Sequence, residues 1–219
     1  MDFPGILAGI LQGFRVTALV TLYGMLWAVP FALCFGVLQY LTRGATRAAV
    51  TAVIEFWRSS PVLILLFMLY YTLPSFGISL SGMTVGAMAL GLNIGGYGSQ
   101  AVRAALQALD RGQVEAGLAL GLRRFDILVS IELPQALVAM LPTFVNQFIQ
   151  LVKGTAVVSL ITLTDMTFRA KEIAELTYNP VGIYTALLVA YLMVCYPATL
   201  LGRWLEHRVG IASRGNREI

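Results

Sequence analysis

The sequence predicts an all-α, polytopic membrane protein with about five transmembrane helices, the N-terminus outside and the C-terminus cytoplasmic, in one domain covering residues 1–219. Three observations carry this prediction. The chain is 58% hydrophobic and only 12% charged, whereas soluble proteins carry roughly 25% charged residues. Apolar runs cover residues 16–41, 60–73, 83–102 and 181–205, with a less pure one over 131–152. Each reaches or approaches the ~20 residues a helix needs to cross a bilayer. Lipid offers backbone groups no water, so these runs must be helices. Lysines and arginines, finally, crowd one set of alternating loops.

The N-terminus, Met1-Asp2-Phe3-Pro4, lacks a basic stretch, and the run after it is too long for a signal-peptide core. No cleavable signal is expected. The first span holds Pro30 and several glycines, which membrane helices tolerate. The second begins near Ala52 and passes through Glu55, Arg58, Ser59, Ser60 and Pro61 before Val62–Leu73. Glu55 and Arg58 stand one helical turn apart and can pair. The loop Pro74–Ser81 is short, uncharged and external. The third span carries Gly86, Gly91, Gly95, Gly96 and Gly98, small residues that let helices approach closely. The 153–180 loop has room for a short helix or a re-entrant segment. Cys34 and Cys195 lie inside apolar runs and read as small buried hydrophobes.

Orientation follows from the basic residues. Arg43 and Arg47, then Arg111, Arg123 and Arg124, then Arg203, Arg208, Arg214 and Arg217 fall on one side. The other side has Arg15, Lys153, Arg169 and Lys171, with Asp165, Glu172 and Glu175 among them. The richer side is cytoplasmic by the positive-inside rule. The net charge of +4 is explained by this topology and by contact with membrane lipid, and needs no nucleic-acid partner.

Several functions are excluded. The chain has no glycine-rich phosphate loop with a lysine, so it does not hydrolyse nucleotides by itself. Its one histidine, His207, sits at the end of the last span. No zinc set, no Ser/His/Asp set and no chain of intramembrane acids is present. No catalytic or metal-binding residue is predicted.

One charged island interrupts the apolar sequence at 112–134, between the third and fourth spans. It carries Glu115, Ala116, Gly117, Gly121, Arg123, Arg124 and Asp126, and ends at Pro134. A short helix over about 113–121 would present Glu115 to a partner. Ala116, Gly117 and Ala119 would allow close packing, Arg123, Arg124 and Asp126 would form a polar rim, and Pro134 would reset the chain at the next span.

Gln113, Glu115, Ala116, Gly121, Ile131, Leu133, Pro134, Gln135 and Ala136 resemble the cytoplasmic "EAA" loop of ATP-binding-cassette importer permeases, with Gly117 in place of the second alanine. Three further segments are similar to the polar amino acid branch of that family. These are Phe56-Trp57-Arg58-Ser59-Ser60-Pro61-Val62-Leu63, the set Asn93, Tyr97 and Arg103, and Leu151-Val152-Lys153-Gly154-Thr155. The resemblance implies the type I importer permease fold in the bacterial cytoplasmic (inner) membrane. It implies a second permease subunit, identical or a paralogue, a cytoplasmic ATPase dimer that binds the ATP and Mg, and an extracytoplasmic solute-binding protein. This chain would hold no cofactor. ATPase coupling would fall to Glu115, Ala116, Gly117, Gly121, Arg123 and Arg124.

Two positions depart from the branch: Gln100 stands for an acid, and Gly154 for an aspartate. Their loss argues against direct binding of a basic side chain. An amino acid without one, an opine or an ectoine-like solute fits as well. Polar groups that could face a solute path are Ser60, Asn93, Tyr97, Gln100, Arg103, Gln150 and Thr155, each of which could instead bond between helices. Arg103, an intramembrane charge, could hold a solute carboxylate or pair with Glu55. The alternative function is a non-transporting assembly subunit with a docking loop.

Overall fold

The computed structural model describes residues 2–215, with side chains through residue 208, and every regular element among them is helical. Arg217 and the side chain of Arg214 lie outside the described residues. Helix α1 (Phe3–Leu11) leads through a turn at Gln12 and Gly13 into α2 (Phe14–Leu41). α3 (Gly44–Ser59) is followed by α4 (Val62–Phe67), which continues as a π turn (Met68–Thr72) and a 3-10 turn (Leu73–Phe76). α5 (Gly82–Gln107) starts at Ser81, whose hydroxyl accepts from the Thr84 N–H. α6 (Arg111–Ala119) and α7 (Arg124–Ile127) come next. α7 passes through a π turn (Leu128–Glu132) into α8 (Leu133–Gly154) and a 3-10 stretch (Thr155–Ile161). α9 (Met166–Thr177) and α10 (Pro180–Gly215) complete the chain. α9 is the short helix expected between residues 153 and 180. Asp165 caps it by accepting from the Phe168 N–H, and burial pushes that carboxyl up against the lowering effect of the bond.

Three helical stretches are long and apolar enough to cross a membrane: Phe3–Leu41, Arg124–Ile161 and Pro180–Arg208. α5, at 26 residues, spans about 39 Å and is also long enough. It is less apolar because its surroundings are protein. Fourteen of its residues are buried, among them Gly91, Gly95, Gly96 and Gly98. A Cβ at Gly91 would collide with the Gly24 carbonyl, and one at Gly36 would stand 2.6 Å from the Val102 Cβ. Glycine at these crossings lets α2 and α5 touch backbone to backbone. α5 is thus the axis of the bundle, packed on α2, α3, α4 and α8. The main core joins Val20 and Ala28 of α2, Val85, Ala89, Leu90 and Ile94 of α5, and Leu151 of α8.

Two expectations are corrected. The second span is not one straight helix: α3 and the α4 stretch meet at 93° across Ser60 and Pro61. Counted as one span, this bent pair would make a fourth by the same criteria. Pro134 does not reset the chain. It lies in the first turn of α8, inside a continuous helical stretch of 38 residues, Arg124–Ile161. Proline brings no N–H to the ladder and disturbs a regular helix. The preceding π turn, where the Leu133 N–H bonds the Leu128 carbonyl, takes up the irregularity. The polar loop between α5 and α8 is therefore shorter than 112–134.

Gly91→Leu should lower the stability of the detergent-solubilised protein by about 1–3 kcal/mol or more, the cost of overpacking a close crossing. Gly5→Leu, where an added Cβ meets nothing within 4 Å, should leave it unchanged. Thermal unfolding followed by intrinsic fluorescence checks both.

Candidate coupling surface and solute path

α6 forms where the island was expected to be helical. The Asp110 carboxylate caps it, accepting from the Gly112 N–H at 2.9 Å. It stops at Gly121, whose φ of +78° is the left-handed conformation glycine favours. The Gly121 N–H bonds the Leu118 carbonyl and the Leu122 N–H the Gly117 carbonyl, a closed Schellman end. This stop turns outward a cluster of large apolar side chains: Leu118, Leu120 (82% exposed), Leu122 and Phe125 (69%). Glu115, Ala116 and Arg123 are exposed beside them. Such an apolar patch with a charged border suits a protein partner.

Two coupling candidates point elsewhere. Gly117 is buried against Ile127, where a Cβ would stand 2.8 Å from the Ile127 side chain. It seats α6 on α7. The Arg124 side chain is still 39% exposed, but its guanidinium is bonded within the chain, to Glu132 (1% exposed) and to the Tyr40 hydroxyl.

Two polar residues of α5 are spent on the break between α3 and α4. A helix ending at Ser59 leaves its last carbonyls unpaired, and Pro61 has no N–H for the Trp57 carbonyl. Asn93 Nδ2 donates to that carbonyl at 2.8 Å, and the Tyr97 hydroxyl donates to the Arg58 carbonyl at 3.2 Å. Arg58 pairs with Glu55 at 3.1 Å, as the sequence suggested, and lies 5.9 Å above the Tyr97 ring. Ser60 is the C-cap of α3, in extended conformation. Gln100 Nε2 donates to Gln39 Oε1 at 3.0 Å, and Gln39 Nε2 to Thr51 Oγ1 at 2.8 Å, which ties α5, α2 and α3 together. Thr155 is fully buried and donates to the Val152 carbonyl. Arg103 has no ion pair among the described residues, and its Nε is buried without a partner. Glu55, its suggested partner, is taken by Arg58.

Gln150 belongs to a larger set. Thr143, Asn146, Gln150 and Lys153 are all exposed on α8, and their 3-4-3 spacing puts them on one helical face. The opposite faces are occupied: Gln147 lies beside Gly98 of α5, and Ile149 and Val152 pack on Cys195 of α10. Lys153 opens into a groove of about 510 Å³ that also includes Tyr184, Tyr191, Cys195, Tyr196 and Thr199. Thr143, Asn146 and Lys153 are not among the path candidates read from the sequence. The signal was there as polar residues at helical period inside an apolar run.

A helical bundle with an exposed apolar turn at one end and a polar face along one span has the build of a multi-pass transport subunit. The chain belongs to the family described as "Binding-protein-dependent transport system inner membrane component", whose model matches residues 24–211. It is 33% identical over 215 residues to "Probable amino-acid ABC transporter permease protein y4tF" of Sinorhizobium fredii (strain NBRC 101917 / NGR234), covering 95% of this chain and 90% of that protein. It is 32% identical over 218 residues to "Probable glutamine ABC transporter permease protein GlnP" of Bacillus subtilis (strain 168), covering 95% and 99%. A solved structure, "Crystal structure of an amino acid ABC transporter with histidines", superposes with a TM-score of 0.84 at 27% identity, covering 95% of this chain and 99% of that one. The fold is that of an ATP-binding-cassette importer permease, multi-pass in the inner membrane. Nothing supports the alternative of a non-transporting assembly subunit.

Asn93→Leu should cost about 1–3 kcal/mol, the penalty for a buried carbonyl left unpaired, and should loosen the chain at Ser60 and Pro61. Faster proteolysis there, with Asn93→Gln milder, is the expected result.

Proposed function

We propose that this permease imports an amino acid without a basic side chain, or a related zwitterion, and that a separate cytoplasmic ATPase dimer supplies the energy. ATP and Mg belong to that partner, and this chain performs no hydrolysis. A second permease subunit and an extracytoplasmic solute-binding protein complete the assembly. The glutamine relative's name and the family's binding-protein dependence support an amino-acid importer; the missing acids at Gln100 and Gly154 are what speak against a basic side chain. α6 docks on the ATPase through Leu118, Leu120 and Phe125, with Glu115, Ala116 and Arg123 at the border. The N-terminus is outside and the C-terminus inside.

The observation that carries the transport path is the α8 stripe. Polar side chains exposed on a membrane span are costly against lipid, and an ammonium most of all. Thr143, Asn146, Gln150 and Lys153 therefore line a hydrated path closed by the second permease subunit. Lys153, among Tyr184, Tyr191 and Tyr196, meets the solute carboxylate, and Gly154 beside it offers nothing to a cationic side chain. Arg103, with its unpartnered Nε, is a second carboxylate contact nearer the cytoplasmic end of α5.

Lys153→Gln should reduce uptake in reconstituted vesicles about tenfold or more, the worth of a charge-assisted bond, with the complex still assembled. Lys153→Arg should retain part of it. Competition by glutamine, arginine and ectoine reads the selectivity. Unchanged uptake in Lys153→Gln, with loss only in Arg103→Gln, would move the carboxylate contact to α5.

Orientation is read by cysteine labelling in a background without Cys34 and Cys195. With an impermeant reagent on intact cells, Tyr178→Cys should react and Leu120→Cys should not. The reverse pattern would invert the topology.

A further inference from the structure

α6 is held to the rest of the chain narrowly. Its buried residue, Gly117, lies on the side chain of Ile127, which is fully buried in α7. A cavity of about 690 Å³ opens beside it, lined among others by Thr42, Arg47, Val114 and Glu115. A push on α6 therefore passes first into α7, not straight onto the end of α2. An exposed pair, Gln113 and Gln135, adds a second tie, exchanging amide bonds at 2.8 and 3.3 Å.

α7 carries the means to pass the push on. Arg124 Nη1 donates to Glu132 Oε2, and Nη2 donates to Glu132 Oε1 at 3.1 Å and to the Tyr40 oxygen at 3.2 Å. The Tyr40 hydroxyl donates to Glu132 Oε1 at 2.7 Å, and the guanidinium lies 5.6 Å above the Tyr40 ring. Each carboxylate oxygen is bonded, and Tyr40 both gives and accepts. A carboxylate as buried as Glu132 tolerates little departure from this arrangement, because an unpaired buried charge is strongly destabilising. The three residues come from α7, from the turn entering α8, and from the end of α2.

From this geometry we infer that Arg124, Glu132 and Tyr40 form a rigid joint that makes α6 and α7 move as one body with the ends of α2 and α8. These are positioning residues that act through one another: Glu132 is buried, and Arg124, half-exposed, spends its guanidinium on it. A displacement of α6 by the ATPase becomes a tilt of the two spans that pack on α5. The inference rests on the coupling role proposed for α6.

The test uses the full complex with its ATPase and binding protein in vesicles, and measures solute taken up per ATP hydrolysed together with the ATPase retained. Glu132→Gln should lower the ratio at least about fivefold, within the range of ordinary coupling energies, with ATPase retention unchanged. Tyr40→Phe, which removes one hydroxyl and should fold readily, should lower it less. Arg124→Lys, which keeps the charge but loses the two-pronged bond, should fall between them. A wild-type ratio in Glu132→Gln and Tyr40→Phe overturns the joint. So does loss of the ATPase from Glu132→Gln, which would make this corner a docking surface. Leu120→Asp tests the underlying reading separately: an ATPase still bound and coupled in that variant would remove α6 from the docking role, whatever the joint variants do.

Discussion

A polar group inside a bilayer has no water to fall back on, and this constraint shapes most of the bundle. The sharpest departure from a regular helix, the break between α3 and α4, is answered by donors from a neighbour. Pro61 leaves the Trp57 carbonyl without its helical partner, and Asn93 supplies one. Glu132 enters the protein as a charge, and Arg124 and Tyr40 surround it. Thr143, Asn146, Gln150 and Lys153 form a polar stripe that is still exposed. By the same logic, that face is where something other than lipid must lie.

Close packing of α5 makes these answers possible. Gly91, and Gly36 opposite Val102, bring α2 and α5 near enough that Gln100 reaches Gln39. Asn93 and Tyr97 on the same helix then hold the α3 break in place. α5 is packed on four neighbours, while α6 reaches the bundle through α7 and the buried carboxylate. A closely packed middle with a narrowly held end suits the coupling role proposed for α6.

Much of this was legible in the sequence. Apolar runs marked the spans, Asp110 and Gly121 bracket a short helix close to its expected bounds, and Glu55 and Arg58 pair as their spacing suggested. The family motifs named the transport system. Other features depended on three-dimensional neighbours that no local pattern encodes. Gln100 reads as a path residue, and nothing local shows that Gln39, far away in the chain, accepts its amide. Gly117 and Arg124 look like partner contacts until Ile127 and Glu132 claim them. Pro134 reads as a break because a π turn that absorbs it has no strong sequence signature. The α8 stripe was written in the spacing, but only the burial of its other faces distinguishes it from ordinary helix packing.

If one face of α8 lines an aqueous path, side chains on that face alone should meet water. Single cysteines placed along α8 at 143–152, in the assembled complex without the native cysteines, test it by reaction with a small water-soluble thiol reagent. Reaction confined to positions 143, 146 and 150, slowed by solute, with 145, 149 and 152 protected, is the pattern the account predicts. Uniform protection along the helix, or reactivity on the face that packs against Cys195, would contradict it.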